Sequence, residues 1–160
     1  MNIEIICIGK LKEKYWQDAI KEYSKRLGRY CTLSVTELKE VKLPDGASLT
    51  DEHRVIYLEG RNILKTLKDD TYVIALDVKG KGLASEELAS KIEKLGIQGN
   101  SRIAFIIGGS LGLSKEVLDA ADFKLSFSAM TFPHQMMRVI LLEQIYRAFK
   151  IIKNESYHKR

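Results

Sequence analysis

Short apolar runs rich in Ile and Val alternate along this chain with longer stretches whose apolar residues recur at helical spacing. The runs NIEIICIG, TLSVTEL, TYVIALDVKG, SRIAFIIGG and FKLSFS predict five strands. Some of them are apolar at consecutive positions, as in strands that are buried on both faces. Strands that alternate with helices in this way predict an α/β fold, a three-layer sandwich with a mainly parallel sheet.

The amphipathic stretches between these runs predict five helices. The predicted bounds are Lys14 to Arg29, Thr50 or Asp51 to about Leu67, Ser85 to Gly96, a short helix capped by Ser114, and Pro133 to about Lys153. Serine suits an N-cap because its hydroxyl can accept a backbone N–H of the first turn. Proline suits a first turn, where its missing N–H costs nothing.

Composition excludes several classes of protein. The 160 residues are 45% hydrophobic and show no repeat or linker, which predicts one domain over residues 1–160. No window has the apolar run of a membrane span, and Met1 to Gly9 is too short for a signal peptide, so we expect a cytoplasmic protein. Two isolated cysteines, Cys7 and Cys31, favour buried, reduced thiols.

The net charge of +5 permits an anionic partner, including nucleic acid, without requiring one. Basic residues are concentrated between Lys10 and Arg29, with acidic residues interspersed. A solvated helix face explains that segment at least as well as an RNA-binding track does.

A glycine-rich turn follows the fourth predicted strand, in the sequence FIIGGSLGLS. Gly108, Gly109 and Gly112 lie where parallel α/β folds bind ligands, beyond the carboxyl end of a strand. Their spacing matches neither the dinucleotide-binding fingerprint nor a Walker loop. An ordinary strand-to-helix turn is therefore an equally good interpretation of the glycines alone.

A second loop strengthens the case for a ligand. The segment Ser126 to Thr131 is small and polar and follows the fifth strand, while Leu76 and Asp77 end the third strand. Together with the glycine turn these residues predict one shallow pocket with backbone donors and acceptors, apolar walls and little charge. Such a pocket suits a neutral planar ring such as adenine better than a triphosphate. We expect no metal site, because no cluster of acidic or His/Cys ligands is spaced for one.

The last helix and the tail raise separate questions. The helix is apolar over most of its circumference, which favours a homodimer partner that covers the face turned away from the sheet. A histidine at the start of a helix, such as His134, is more often structural than catalytic.

The tail NESYHKR has the composition of a disordered terminus. Its Tyr157, His158 and Lys159 nevertheless offer base stacking, proton exchange and phosphate contacts.

At this point the segments IGGSLGLS, LSFSAMTFPHQMMRVILLEQIYRAFKII and YHK resemble the RlmH family of the SPOUT, or α/β-knot, methyltransferases. These enzymes methylate N3 of a pseudouridine in 23S ribosomal RNA. The resemblance covers the whole chain, and its specific motifs lie in the C-terminal third. Asn154 and Ser156 stand where many members have glycine and proline, which leaves the path of the tail open.

The resemblance implies a deep trefoil knot in about residues 71–155, a homodimer, and S-adenosylmethionine bound in the knot without a metal. The cofactor-binding positions that it implies are Leu76, Gly108, Phe127, Ser128, Ala129, Met130, Thr131 and Phe132. A chain without an RNA-binding extension is expected to need a large preformed surface, such as the assembled ribosome, to place the target base.

The mechanism expected from the resemblance needs an acceptor for the proton of the target nitrogen. His158 is the first candidate, with Tyr157 holding the base and Arg138 or Lys159 contacting phosphate or carbonyl oxygen. His134 and water are alternative proton acceptors. Other functions also stay open: methylation of another RNA position, a non-catalytic ribosome-associated module, and a nucleotide-hydrolysing domain, which lacks the expected Lys and Asp.

Overall fold

The computed structural model describes residues 1–159, in which five strands and five helices alternate. Their bounds are β1 (Asn2–Ile8), α1 (Lys14–Leu27), β2 (Thr32–Leu38), α2 (Leu49–Thr66), β3 (Tyr72–Gly82), α3 (Ser85–Ile97), β4 (Arg102–Ile107), α4 (Lys115–Ala120), β5 (Phe123–Ser126) and α5 (His134–Ile152). The predicted order of elements is confirmed, with helix ends displaced by one to a few residues.

The strands form one parallel sheet in the order β2-β1-β4-β3-β5. Because all five run the same way, their carboxyl ends meet at one edge, where the loops after each strand collect. Strand β1 neighbours β4, so the loop after β1 lies beside the glycine turn after β4.

Both faces of the sheet are covered, which confirms the three-layer sandwich. Side chains of β1 alternate between two hydrophobic clusters, with Ile3 and Ile5 on one face and Ile6 and Ile8 on the other. The first cluster is closed by α1, α3 and α5, and the second by α2 and α4. Burial on both faces explains the consecutive apolar residues of the central strands.

The register between β3 and β5 is irregular near their carboxyl ends. Leu125 pairs with Leu76 and again with Lys81, so the residues between them bulge out of the sheet. A side chain at Gly80 would place its Cβ 2.6 Å from the Lys124 carbonyl oxygen, so only glycine fits there. A bulge bends its strand, and this one lies beside the segment that follows β5.

Helix α2 is capped by a residue that sequence reasoning missed. Thr50 and Asp51 were the predicted caps, but Ser48 is the N-cap. Its hydroxyl accepts the Asp51 N–H (3.2 Å), and the Asp51 carboxylate accepts the Ser48 N–H (2.9 Å). This reciprocal capping box satisfies two backbone donors and places the N-cap two or three residues earlier than predicted.

Other helix starts differ less from the prediction. Ser114 caps α4 as predicted, since its hydroxyl accepts the Val117 N–H at 3.2 Å. The predicted cap Ser85 is instead the first helical residue of α3, after Ala84. Pro133 is likewise the residue before the first turn of α5 rather than a member of that turn.

Three further observations concern residues 1–159. None of their helices is long and apolar enough to cross a membrane. No group of three His, Cys, Asp or Glu side chains among them could hold a metal ion.

Cys7 is buried and Cys31 half-buried, both as free thiols, and burial raises the pKa of each thiol to about 11. The single-domain organisation and the knot over residues 71–155 stay predictions.

Candidate functional site

A cavity of about 610 Å³ opens at the carboxyl edge of the sheet, among the ends of β3, β4 and β5. Its wall combines the glycine turn, the end of β3 and the segment after β5. The lining residues are Leu76, Asp77, Val78, Ile107, Gly108, Gly109, Ser110, Gly112, Leu113, Leu118, Leu125, Phe127, Ser128, Met130, Thr131, Phe132, Pro133, His134 and Met137. The predicted meeting of the two loops around one cleft is therefore confirmed.

The glycine turn owes its shape to the absence of side chains. The Gly112 N–H donates to the Gly109 carbonyl oxygen at 3.0 Å, and Gly112 has φ +84°, a left-handed conformation. A side chain on Gly108 would place its Cβ 2.9 Å from the Gly112 carbonyl carbon, closer than packed atoms come. The turn can fold this tightly against the cavity only because these positions are glycine.

The segment 126–132 is held by its serines. The Ser126 hydroxyl donates to the Val78 carbonyl oxygen (3.0 Å), and the Ser128 hydroxyl accepts the Met130 N–H (3.0 Å). Seven of the eight residues that the resemblance implies for cofactor binding line the cavity. The exposed Ala129 is the exception.

The cavity offers little charge. Among the described residues that line it, Asp77 and His134 are the titratable ones, and none is Lys or Arg. Burial, followed by the nearby Arg138 guanidinium, lowers the pKa of His134 below its ordinary value of 6.5. A neutral imidazole and apolar walls suit a neutral nucleoside better than a phosphate chain, which would need cationic groups.

Arg138 does not line this cavity, and its burial and protein partners argue against the predicted contact with RNA. Its guanidinium donates to the Glu37 carboxylate (2.6 Å) and to the carbonyl oxygens of Gly9 (2.7 Å) and Ile8 (3.1 Å). The residue is 1% exposed. Arg138 therefore ties the start of α5 to the ends of β1 and β2. It lines a separate cavity of about 370 Å³ beside α1.

Residues 153–159, which follow α5, are ordered, so the interpretation of this part of the tail as a disordered terminus is wrong. Arg160 lies outside the described residues. Asn154 adopts φ +54°, a left-handed conformation that asparagine tolerates, and the chain turns back along α5. The Tyr157 hydroxyl donates to the Glu143 carboxylate at 2.8 Å, and its ring packs edge-on against Tyr146 with centroids 5.0 Å apart. Asn154 thus makes the turn after α5, although many members of the family have glycine or proline in this part of the tail.

Glu143 organises the environment of Tyr157. One carboxylate oxygen also accepts the Tyr23 hydroxyl of α1 (2.7 Å), and the other accepts two guanidinium N–H groups of Arg147 (2.6 and 2.9 Å). The Arg147 guanidinium in turn lies 4.7 Å from the centroid of the Tyr157 ring. Burial, with the Glu143 carboxylate, raises the pKa of Tyr157 above 10. Tyr157 is therefore a neutral, fixed ring.

His158 lies between two groups that define its tautomer. Its Nδ1 is 3.2 Å from an Arg147 guanidinium nitrogen, and its Nε2 is 2.8 Å from a Glu86 carboxylate oxygen. Arginine only donates hydrogen bonds and a carboxylate only accepts them. The neutral ring therefore carries its proton on Nε2 and presents a lone pair at Nδ1.

The cavity and the tail lie at opposite ends of α5. His134 lines the cavity in the first turn, whereas Arg147, which holds the tail, comes 13 residues later, about 20 Å along the axis at the usual helical rise. Tyr157 and His158 are not among the residues that line the cavity. Within one chain, the structure does not bring the predicted catalytic residues together with the predicted cofactor positions.

Known proteins match this sequence from end to end. The family described as "Predicted SPOUT methyltransferase" matches residues 1–158. The chain belongs to the SPOUT methyltransferase family. The resemblance stated from the C-terminal motifs is confirmed by this match and by close relatives.

Three relatives of this SPOUT methyltransferase come from Clostridium novyi (strain NT), Clostridium beijerinckii and Alkaliphilus oremlandii. They are 64%, 61% and 61% identical to it over 159 residues, which are 99% of this chain and 100% of each relative. Each of the three is named "Ribosomal RNA large subunit methyltransferase H".

Sequence reasoning missed several residues around the cavity and beside the tail. Leu113, Leu118 and Met137 complete the apolar wall, but each also fits an ordinary helical core position, so their sequence signal is weak. Glu143 and Arg147 carried a usable signal. Their spacing of four residues on a helix predicts an ion pair, which the structure shows at 2.6 Å.

Proposed function

We propose that this protein transfers a methyl group from S-adenosylmethionine to N3 of a pseudouridine in 23S ribosomal RNA, acting on the assembled ribosome as a homodimer. The observation that carries the proposal is the weakly charged cavity between the glycine turn and the segment after β5. Membership of the SPOUT methyltransferase family supports the reaction class. The names of the relatives support the substrate class.

The cavity residues fit the proposed methyl donor. A volume of about 610 Å³ lies within the usual range for cofactor-sized ligands. Gly108 lines the cavity, and any side chain there would collide with the Gly112 backbone, so glycine is required for the turn to present its backbone at this point. We assign the binding of the donor to Leu76, Gly108 and the loop 127–132, whose backbone groups can hydrogen-bond a base edge.

S-adenosylmethionine, when bound, supplies a methyl group activated on a sulfonium centre. The protein's part is to hold the acceptor in line with that group and to exclude water. Apolar side chains such as Leu76, Phe127 and Phe132 line the cavity and keep its polarity low. Positioning in such an environment supplies much of the catalysis for a displacement in which charge disappears.

The acceptor nitrogen of the proposed base carries a proton and is a poor nucleophile until that proton leaves. We propose the lone pair on Nδ1 of His158 as its acceptor, with Tyr157 holding the base and the exposed Lys159 contacting phosphate. To act, Nδ1 must exchange its contact with Arg147 for the N–H of the base. The Nε2–H retains its hydrogen bond to Glu86 throughout, which stabilises the protonated ring.

A second copy of the chain resolves the separation between cavity and tail. We propose that the tail of one subunit serves the cavity of the other, since about 20 Å of α5 separates the two within one chain. Half-buried apolar residues of α5, such as Val139 and Ile140, offer surface for such a partner.

His134 is the alternative proton acceptor, because it lines the cavity of its own chain and its lowered pKa keeps it neutral at pH 7. Direct loss of the proton to water is the third route. Mixed dimers distinguish these routes. A cavity variant, G108A, and a tail variant, H158A, are each expected to show little activity alone when S-adenosylmethionine is kept below its wild-type Kd.

Equal amounts of the two variants, unfolded together and refolded, should recover about a quarter of the wild-type methyl transfer. Half of the resulting dimers would be mixed, with one intact composite site each. No recovery above the separate variants would contradict a shared site. Full activity of H158A alone would remove His158 from the mechanism and favour His134 or water.

Two measurements test the function as a whole. Calorimetric titration should show S-adenosylmethionine binding to the wild-type protein, whereas a non-catalytic module should bind little. Mass mapping of 23S RNA from cells with and without the gene should show one lost methyl group at a pseudouridine. A lost mark elsewhere would contradict the proposed target, and methylation of free RNA as fast as ribosomes would contradict the proposed substrate form.

A further inference from the structure

Glu59 is a buried carboxylate that the proposed chemistry does not use. It lies in α2, is 4% exposed, and accepts the Val41 N–H at 3.1 Å through one of its two oxygens. Charged side chains are seldom buried to this extent without a cationic partner. An apolar residue of similar size would fill the same volume without the desolvation penalty. The presence of a carboxylate therefore indicates a role other than packing.

The other carboxylate oxygen of Glu59 lies against the glycine turn. A Cβ added to Gly109 would lie 3.2 Å from this oxygen and 3.4 Å from a methyl group of Ile8. Gly109 also lines the cavity. Gly109 therefore borders the cavity and also lies next to the Glu59 carboxylate.

The next residue of α2 makes a second close approach to the same turn. A side chain on Gly60 would place its Cβ 2.3 Å from the Ser114 hydroxyl oxygen. Ser114 ends the glycine turn and caps α4. Helix α2 thus approaches both ends of the glycine turn. Glu59 lies beside Gly109 at the start of the turn, and Gly60 lies beside Ser114 at its end.

We propose that Glu59 is a positioning residue that fixes the glycine turn for cofactor binding by linking it to the loop between β2 and α2. It acts through Gly109 and touches neither cofactor nor RNA. The link requires a hydrogen-bond acceptor of this length at position 59, because the Val41 N–H holds the side chain against the turn. The inference rests on the proposed binding of S-adenosylmethionine in the cavity.

Matched substitutions separate this role from simple packing. E59M keeps the length and volume of the side chain but removes the acceptor, whereas E59Q keeps an acceptor oxygen. N62A, at an exposed position of the same helix, is the control. Each purified full-length protein is titrated with S-adenosylmethionine by calorimetry, and its melting temperature is measured without the ligand.

We expect E59M to raise the Kd for S-adenosylmethionine about tenfold, and E59Q and N62A to stay within about threefold of the wild type. A wild-type Kd in E59M would overturn the proposal, even if its melting temperature fell, because that pattern describes packing alone. Equal weakening in E59M and E59Q would also overturn it, since the acceptor would then be irrelevant.

If E59M does not fold, V41P tests the link from the donor's side, because proline has no N–H to offer. The same tenfold increase in Kd is expected, and a wild-type Kd in V41P would contradict the link. Failure of the proposed function gives a different result. In that case the wild-type protein itself would show no binding of S-adenosylmethionine.

Discussion

Replacing Arg138 with methionine should unfold the protein at a much lower temperature, because the guanidinium is a buried connection between three elements. Methionine fills most of the space of the arginine stem but cannot donate hydrogen bonds. The carbonyl oxygens of Ile8 and Gly9 and the carboxylate of Glu37 would each lose a donor. Each buried group left without a partner costs about 1–3 kcal/mol.

The Glu37 side chain is 33% exposed, so water can partly replace its lost partner. We therefore expect a loss of about 4 kcal/mol, within the range for breaking one side of a buried ion pair. At about 3 °C per kcal/mol for a chain of this size, the melting temperature of R138M should fall by about 12 °C.

Differential scanning calorimetry of R138M and R26M provides the comparison. Arg26 pairs with Glu22 on the surface of α1, with side chains 41% and 54% exposed, and its loss should cost less than about 1 kcal/mol. A melting temperature of R138M close to that of R26M would refute the structural role. If methyl transfer were lost at the same time, a direct contact between Arg138 and the substrate would be the better explanation.

Three further predictions concern the cavity and the helix ends. Calorimetry should show that G108A raises the Kd for S-adenosylmethionine at least tenfold, because the added Cβ would lie 2.9 Å from backbone of the same turn. The control G82A, whose added Cβ has its nearest contact at 4.0 Å, should leave the Kd unchanged. Because the pKa of His134 is lowered in the folded protein, the unfolded chain binds this proton at a higher pH, and wild-type stability should decrease as the pH falls through 6.5. Melting curves of H134Q should show a smaller decrease between pH 7.5 and 5.5. Equal decreases in the two proteins would contradict this prediction. S48A should lower stability by about 1 kcal/mol in urea titrations through loss of the α2 cap, and an unchanged midpoint would contradict the observed capping.

Local patterns were sufficient to predict the element order, the layers and the location of the cavity. The consecutive apolar residues of Ile103 to Ile107 indicated a central strand, and the structure buries all five. Parallel strands end at one edge, so the sequence alone placed the glycine turn and the loop 127–132 together. Ala129 does not line the cavity, because a resemblance assigns a run of residues whereas a turn need not bring every one of them to the cavity wall; its part in cofactor binding stays a prediction.

Capping and the tail show where local patterns are insufficient. Ser48, Thr50 and Asp51 are all acceptable N-cap residues, and the choice depends on which carboxylate and hydroxyl can exchange hydrogen bonds with the first turn. The composition of the tail favours disorder, but its order comes from Glu143 and Arg147, which lie on another segment.

The linear order of residues set the class of fold and the two loops that frame the cavity, because helical and strand periodicity are properties of neighbouring positions. Tertiary structure alone decided the fate of Arg138 and His158. Their partners Glu37 and Glu86 lie 101 and 72 residues away along the chain, and no pattern of nearby residues records such pairs. Folding buries the Arg138 guanidinium in an ion pair with Glu37. It also holds His158 between Arg147 of α5 and Glu86, away from the residues that line the cavity of its own chain.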